Sequence, residues 1–167
     1  MKNTVLPKNF YKRDTAKVAQ DLLGKILVRK MNDKSLKGLI VETEAYYGKK
    51  DPSSRAFQGK KNYNLAMWGD PGIVFIYNVH KYWMLNIIAH KQNEVGGVLI
   101  RAIEPTKGLE FMMKNRNTEG LLNLTNGPGK LTIAFDLDKR YNLIDATEDN
   151  SVIHVLDNQF DLLRRLP

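Results

Sequence analysis

The chain has 167 residues, 43% of them hydrophobic and 26% charged, with no cysteine. That length suits one domain able to bury a core of its own, and the lack of cysteine excludes disulfides, thiol nucleophiles and zinc–thiolate centres. A net charge of +8 and a pI near 9.6 favour a polyanionic partner, nucleic acid first, although a merely lysine-rich composition gives the same figures.

In chain order, Asp14 or Thr15 can cap a helix whose apolar face is Val18, Ala19, Leu22 and Leu23, with Gly24 as its stop. Lys25 to Lys30 reads as a strand, 31–37 as a turn and Gly38 to Tyr47 as a second strand, so 25–47 resembles a hairpin. Gly48 to Asn64 is a polar loop carrying Lys49, Lys50, Arg55, Lys60 and Lys61, and Gly69-Asp70-Pro71-Gly72 follows as a turn. Ile73 to Val79 and Tyr82 to Ala89 read as strands around a short turn, and Val95 to Ile103 as another. Pro105 and Thr106 are expected to open a helix through Lys114, a short helix is expected over Leu131 to Phe135, and Val152 to Leu156 is a late strand. The order predicts an α+β fold: a single domain over 1–167 with a curved, mostly antiparallel β-sheet flanked by helices.

No apolar run approaches the roughly 18 residues of a membrane span. Met1 to Leu6 lacks the stretch of a signal peptide, so an intracellular protein without membrane attachment is expected. His80, His90 and His154 are far apart and in no ligand spacing, so no metal is expected.

Strand alternation puts Glu42, Glu44 and Tyr46 on one face and Val41, Thr43 and Ala45 on the other. Two carboxylates and an aromatic ahead of a basic loop suit a general base beside a stacking platform; they also suit a charged edge facing solvent. Phe75 and Tyr77 share a face, as do Tyr82, Met84 and Asn86. Core packing is the ordinary fate of such aromatics, whereas a buried Asn86 must have its amide satisfied. Arg101, between Ile100 and Ala102, is expected to pair with a carboxylate such as Glu44, or else to point to solvent or pair with Glu104. Gly127-Pro128-Gly129-Lys130 fails as a nucleotide-binding P-loop, because Leu124 and Leu131 stand where glycine and Ser or Thr are required. Its glycines and Lys130 could still hold a DNA phosphate.

Together these segments resemble the alkyladenine (3-methyladenine) DNA glycosylase family over Ala19 to about Leu156. The resemblance rests on Leu22-Leu23-Gly24, Ile40-Val41-Glu42-Thr43-Glu44-Ala45-Tyr46, Asn64 and Met67 before Pro71-Gly72, and Met84-Leu85-Asn86. It rests also on Leu99-Ile100-Arg101-Ala102-Ile103-Glu104-Pro105 and Gly127-Pro128-Gly129-Lys130-Leu131. It implies a monomeric DNA-repair enzyme that flips a damaged purine out of double-stranded DNA and hydrolyses its bond to the sugar without a cofactor. By position, Glu44 matches the base that activates water and Arg101 the arginine that helps hold water and carboxylate. Tyr46 and Tyr77 match the aromatics that sandwich the base, and Asn86 the asparagine that rejects normal guanine. The family inserts a hairpin-tip tyrosine into the minor groove; here alignment from one side gives His80 and from the other Val79, with His80 favoured. Lys60, Lys61 and Lys130 complete the expected DNA contacts.

Three departures stand out. Arg55 replaces the histidine usual before Ala56, and a donor-only cation is expected to disfavour cationic alkylpurines and favour deaminated, oxygen-bearing ones. Tyr63 replaces a common arginine. The chain stops at Leu166-Pro167, where relatives continue with a further segment that supplies part of the pocket wall; it is either a truncated chain or a short member, and if truncated, weak activity and exposed apolar surface near Phe160, Leu162 and Leu163 are expected. The competing readings are a non-catalytic nucleic-acid-binding relative and an RNA-binding β-barrel domain.

Overall fold

A computed structural model describes residues 4–158, so the surface expected around Phe160, Leu162 and Leu163 lies outside the described residues. Two short helices come first, α1 (Lys8–Tyr11) and α2 (Thr15–Leu22). Asp14 caps α2, its carboxylate accepting from the Lys17 N–H at 3.2 Å. Thr15, Val18, Ala19 and Leu22 form the buried face. Leu23, expected on that face, lies beyond the last helical turn and is 37% exposed. Gly24 then turns in the left-handed region at φ 79°.

Among the described residues six strands follow: β1 (Ile26–Lys30), β2 (Ser35–Tyr47), β3 (Val74–Val79), β4 (Tyr82–Ile88), β5 (Gly96–Lys107) and β6 (Ile153–Leu156). They form one sheet in the order β3-β4-β5-β2-β1-β6, with every pairing antiparallel. Two further helices, α3 (Leu109–Arg116) and α4 (Pro128–Ala134), pack on each other, and α4 also packs on β4 and β5. The α+β architecture is as expected. No helix among the described residues is long and apolar enough to cross a membrane.

The expected helix from Pro105 is instead the end of β5, which runs to Lys107. β4 pairs with β5 only over Gly97–Leu99, so Pro105 lies where that side of the strand has no ladder partner and its missing N–H breaks nothing. Gly108 at φ 84° then turns the chain into α3. A Cβ there would lie 2.4 Å from Leu36 Cδ2.

The sheet has two covered faces. On one, Leu22, Leu27, Leu36, Ile40, Val98, Ile100, Ile103, Leu131 and Phe135 belong to the main core. On the other, the segment between β2 and β3 folds back, with a 3-10 helix at Asn62–Trp68. A second, smaller core forms there from Ala56, Ala66, Met67, Phe75 and Ile88.

One irregularity sets which side chains reach that second face. Between β2 and β5 the register runs Ile40 to Ile103, Glu42 to Ala102, then Thr43 to Ile100, leaving Val41 and Arg101 as facing bulges. The inward set in β2 therefore changes from Leu36 and Ile40 to Thr43 and Ala45, and in β5 from Val98 and Ile100 to Ile103. Val41, expected beside Thr43 and Ala45, is instead half exposed at 50%.

Candidate active site

Past the bulge, Glu42, Glu44 and Tyr46 turn outward from the main core, as alternation requires. Arg101, itself bulged, meets them from β5. Its Nε donates to Glu42 Oε1 at 2.9 Å, and Nη1 lies 3.1 Å from Glu44 Oε1. The pairing with Glu44 is thus present, and Glu42 is a second partner that sequence reasoning left without a role. The three side chains are partly exposed, so this bridge orients groups more than it stabilises the fold. The other Glu44 oxygen, Oε2, accepts from the Tyr46 hydroxyl at 2.5 Å. Burial first, and then the bond to Glu44, push the Tyr46 phenol well above its ordinary range, so it stays a neutral donor.

Beside this carboxylate lies a shallow pocket, open to solvent, lined by Tyr46, Ser53, Arg55, Met67, Phe75, Tyr77, Asn86 and Gly97. The register explains the grouping. Asn86 faces Phe75 on one side and Leu99 on the other, and Leu99 faces Glu44. In the adjacent row, Gly97 lies between Tyr46 and Ile88 and contributes no side chain. A hollow results at the glycine, with rings at its rim. Glu44 and Arg101 stand next to the pocket and not in its wall; Tyr46 belongs to both.

Asn86 is 4% exposed. Its Nδ2 donates to the Phe75 and Met84 carbonyls, each at 3.2 Å. Phe75 and Tyr77 stack at 5.1 Å between centroids. The Arg55 guanidinium sits 5.0 Å from the Tyr77 ring centroid. Its loop is anchored by the fully buried Asn64, whose Nδ2 donates to the Arg55 carbonyl at 2.8 Å and the Gly59 carbonyl at 3.1 Å. Asn64 Oδ1 accepts from the Lys61 N–H at 2.7 Å.

The β3–β4 hairpin turns on two residues, His80 and Lys81. His80 has φ 53°, a conformation in which such turns favour glycine. Val79 and Tyr82 form the last cross-strand pair, on the face of Tyr77 and Asn86. Lys60 and Lys61 are exposed on the loop beside the pocket; Lys130, at the start of α4, donates to Asn126 Oδ1 at 2.8 Å. Among the described residues no cluster of His, Asp or Glu could hold a metal. Sequence reasoning also missed Ser53, Met67 and Gly97 as lining residues. Gly97 had a signal, a Gly-Gly pair opening a strand, but only the register gives it a place.

The methylpurine-DNA glycosylase family pattern matches residues 9–162. This chain belongs to that family. A relative from Chlorobium phaeobacteroides is 47% identical over 133 residues, covering 78% of this chain and 68% of its own. One from Clostridium perfringens (strain SM101) is 45% identical, with 88% and 77% covered. One from Clostridium botulinum (strain Loch Maree) is 39% identical, with 95% and 84% covered. Each bears the name "Putative 3-methyladenine DNA glycosylase". Membership of the methylpurine-DNA glycosylases makes the coarse activity DNA glycosylase chemistry in DNA repair, with DNA as substrate.

Proposed function

We propose that the chain is a monofunctional purine-DNA glycosylase. It flips a damaged purine, whether alkylated, deaminated or an etheno adduct, from duplex DNA into the slot bounded by Tyr46 and Tyr77. Water activated by Glu44 then replaces the base. The observation that supports this best is the Glu44 carboxylate held between Arg101 at 3.1 Å and the hydroxyl of Tyr46, a residue that also walls the pocket.

A base inside a duplex is out of reach of any side chain, and extruding it requires a few kcal/mol. Stacking on Tyr46 and Tyr77 offsets part of that. The chemistry is one displacement. The water oxygen bonds to the sugar C1′ as the C1′–N bond breaks, the bonding electron pair leaves with the base, and the water proton passes to Glu44. A cationic alkylpurine departs neutral, whereas a neutral lesion departs with the electron pair and is protonated from solvent water. No lysine nucleophile is involved, so the product is an abasic site in an unbroken strand. Arg101 keeps Glu44 oriented. Asn86 has its amide nitrogen occupied by two backbone carbonyls, which leaves its oxygen to meet a base and discriminate against normal guanine. Lys60, Lys61, Lys130 and the tip residue His80 supply contacts to the DNA.

The test is excision from duplexes carrying hypoxanthine, ethenoadenine or 3-methyladenine. Wild type should leave an abasic site that breaks only after alkali, and Glu44→Gln should not. Strand breakage without alkali would refute the monofunctional reading.

A further inference from the structure

Arg55 lines the pocket and its guanidinium stands 5.0 Å from the Tyr77 ring centroid. Tyr77 is one of the two tyrosines at the rim, so this face of the slot already carries a resident cation. The backbone that presents it is fixed, because the buried Asn64 holds the Arg55 carbonyl at 2.8 Å and the flanking Ser54 and Ala56 are buried. The side chain itself is exposed, and among the described residues it has no carboxylate partner. It can therefore swing aside while its root stays in place.

We propose that Arg55 is the lesion-selecting residue of the slot: its guanidinium occupies the Tyr77 face until a base displaces it, and then stands at the edge of that base as a donor. This rests on the glycosylase reading above. A cationic ring-alkylated purine must both remove a favourable cation–aromatic contact and sit beside the displaced charge. A neutral purine meets only the first cost. One with an exocyclic carbonyl regains a charge-assisted hydrogen bond from the fork of N–H groups. The order of preference is then carbonyl-bearing neutral purine, neutral purine without a carbonyl, cationic purine.

Single-turnover excision of hypoxanthine, ethenoadenine and 3-methyladenine from one duplex sequence tests this in wild type, Arg55→Gln and Arg55→His. Losing a positive charge weakens DNA binding equally for all three duplexes, so the ratio of rates isolates the slot. The hypoxanthine to 3-methyladenine ratio is expected to fall about tenfold or more in Arg55→Gln, with ethenoadenine in between, and to fall in Arg55→His as well. Equal ratios in all three proteins, with excision intact, overturn the assignment of Arg55 alone. No excision of any lesion by wild type overturns it together with the glycosylase reading.

Discussion

Replacing Asn64 with alanine tests how the loop that carries Arg55 is held. The side chain is fully buried and makes three hydrogen bonds within one loop, to the Arg55 carbonyl, the Gly59 carbonyl and the Lys61 N–H. A buried hydrogen bond contributes about 1 kcal/mol net, and more when its loss leaves a partner unsatisfied. The sum is about 3 kcal/mol, provided the loop unfolds with the rest. That coupling follows from Ala56, Ala66 and Met67, which flank Asn64 in sequence and pack on Phe75 and Ile88 of the sheet. For a domain of this size, about 3 kcal/mol lowers the melting temperature by roughly 6–12 °C. Urea titration followed by the fluorescence of Trp68 and Trp83 measures it directly. Asn64→Asp keeps the acceptor for Lys61 but turns a buried carboxylate oxygen toward the Arg55 and Gly59 carbonyls, so it should destabilise at least as much as Asn64→Ala. A change under about 0.5 kcal/mol for Asn64→Ala, the range of ordinary surface substitutions, would refute the claim that this amide anchors the loop.

The remaining expectations concern the slot, the ion bridge and pH. A Cβ built on Gly97 meets only ordinary contacts at 3.6 Å, so Gly97→Val should fold with nearly unchanged stability while excision drops sharply as its methyls fill the hollow; a fully active variant would contradict the pocket floor assigned here. Glu42→Gln should slow single-turnover excision several-fold without changing DNA affinity. Its effect should disappear in an Arg101→Gln background, since Glu42 acts only through Arg101; additive losses would break that link. His154 is buried on β6, with Nδ1 2.9 Å from the Ser151 carbonyl, and burial lowers its pKa from 6.5. The unfolded chain then binds the proton more readily, so stability should decline as pH falls below about 6.5 and level off below the folded value. His154→Gln should flatten that decline in thermal melts between pH 7 and 5; an unaltered slope would show that other groups cause it.

The α+β fold and most strands were legible because apolar periodicity holds over runs of several residues, in β2 and β5 on either side of the bulge. The outward set Glu42, Glu44 and Tyr46 was legible for the same reason, since two-residue alternation holds past the bulge. The bulge itself was not. Nothing at Val41 or Arg101 marks a residue without a pairing partner, and only the β2–β5 register shows that both strands change phase there. Pro105 misled because proline suits the first turn of a helix as well as an unpaired strand edge. The Arg101 partner was legible only in part: Glu44 follows from charge and face, while Glu42 becomes a partner because Arg101 bulges toward both. The position of Arg55 over Tyr77 depends on how a polar loop folds back onto the sheet, which no local pattern specifies.

The most direct measurement is single-turnover excision by Glu44→Gln on a hypoxanthine duplex it binds as tightly as wild type does. Loss of a positioned general base predicts a rate lower by about 10²–10⁴-fold. A rate within a few-fold of wild type would mean that the carboxylate beside the slot does not activate the water.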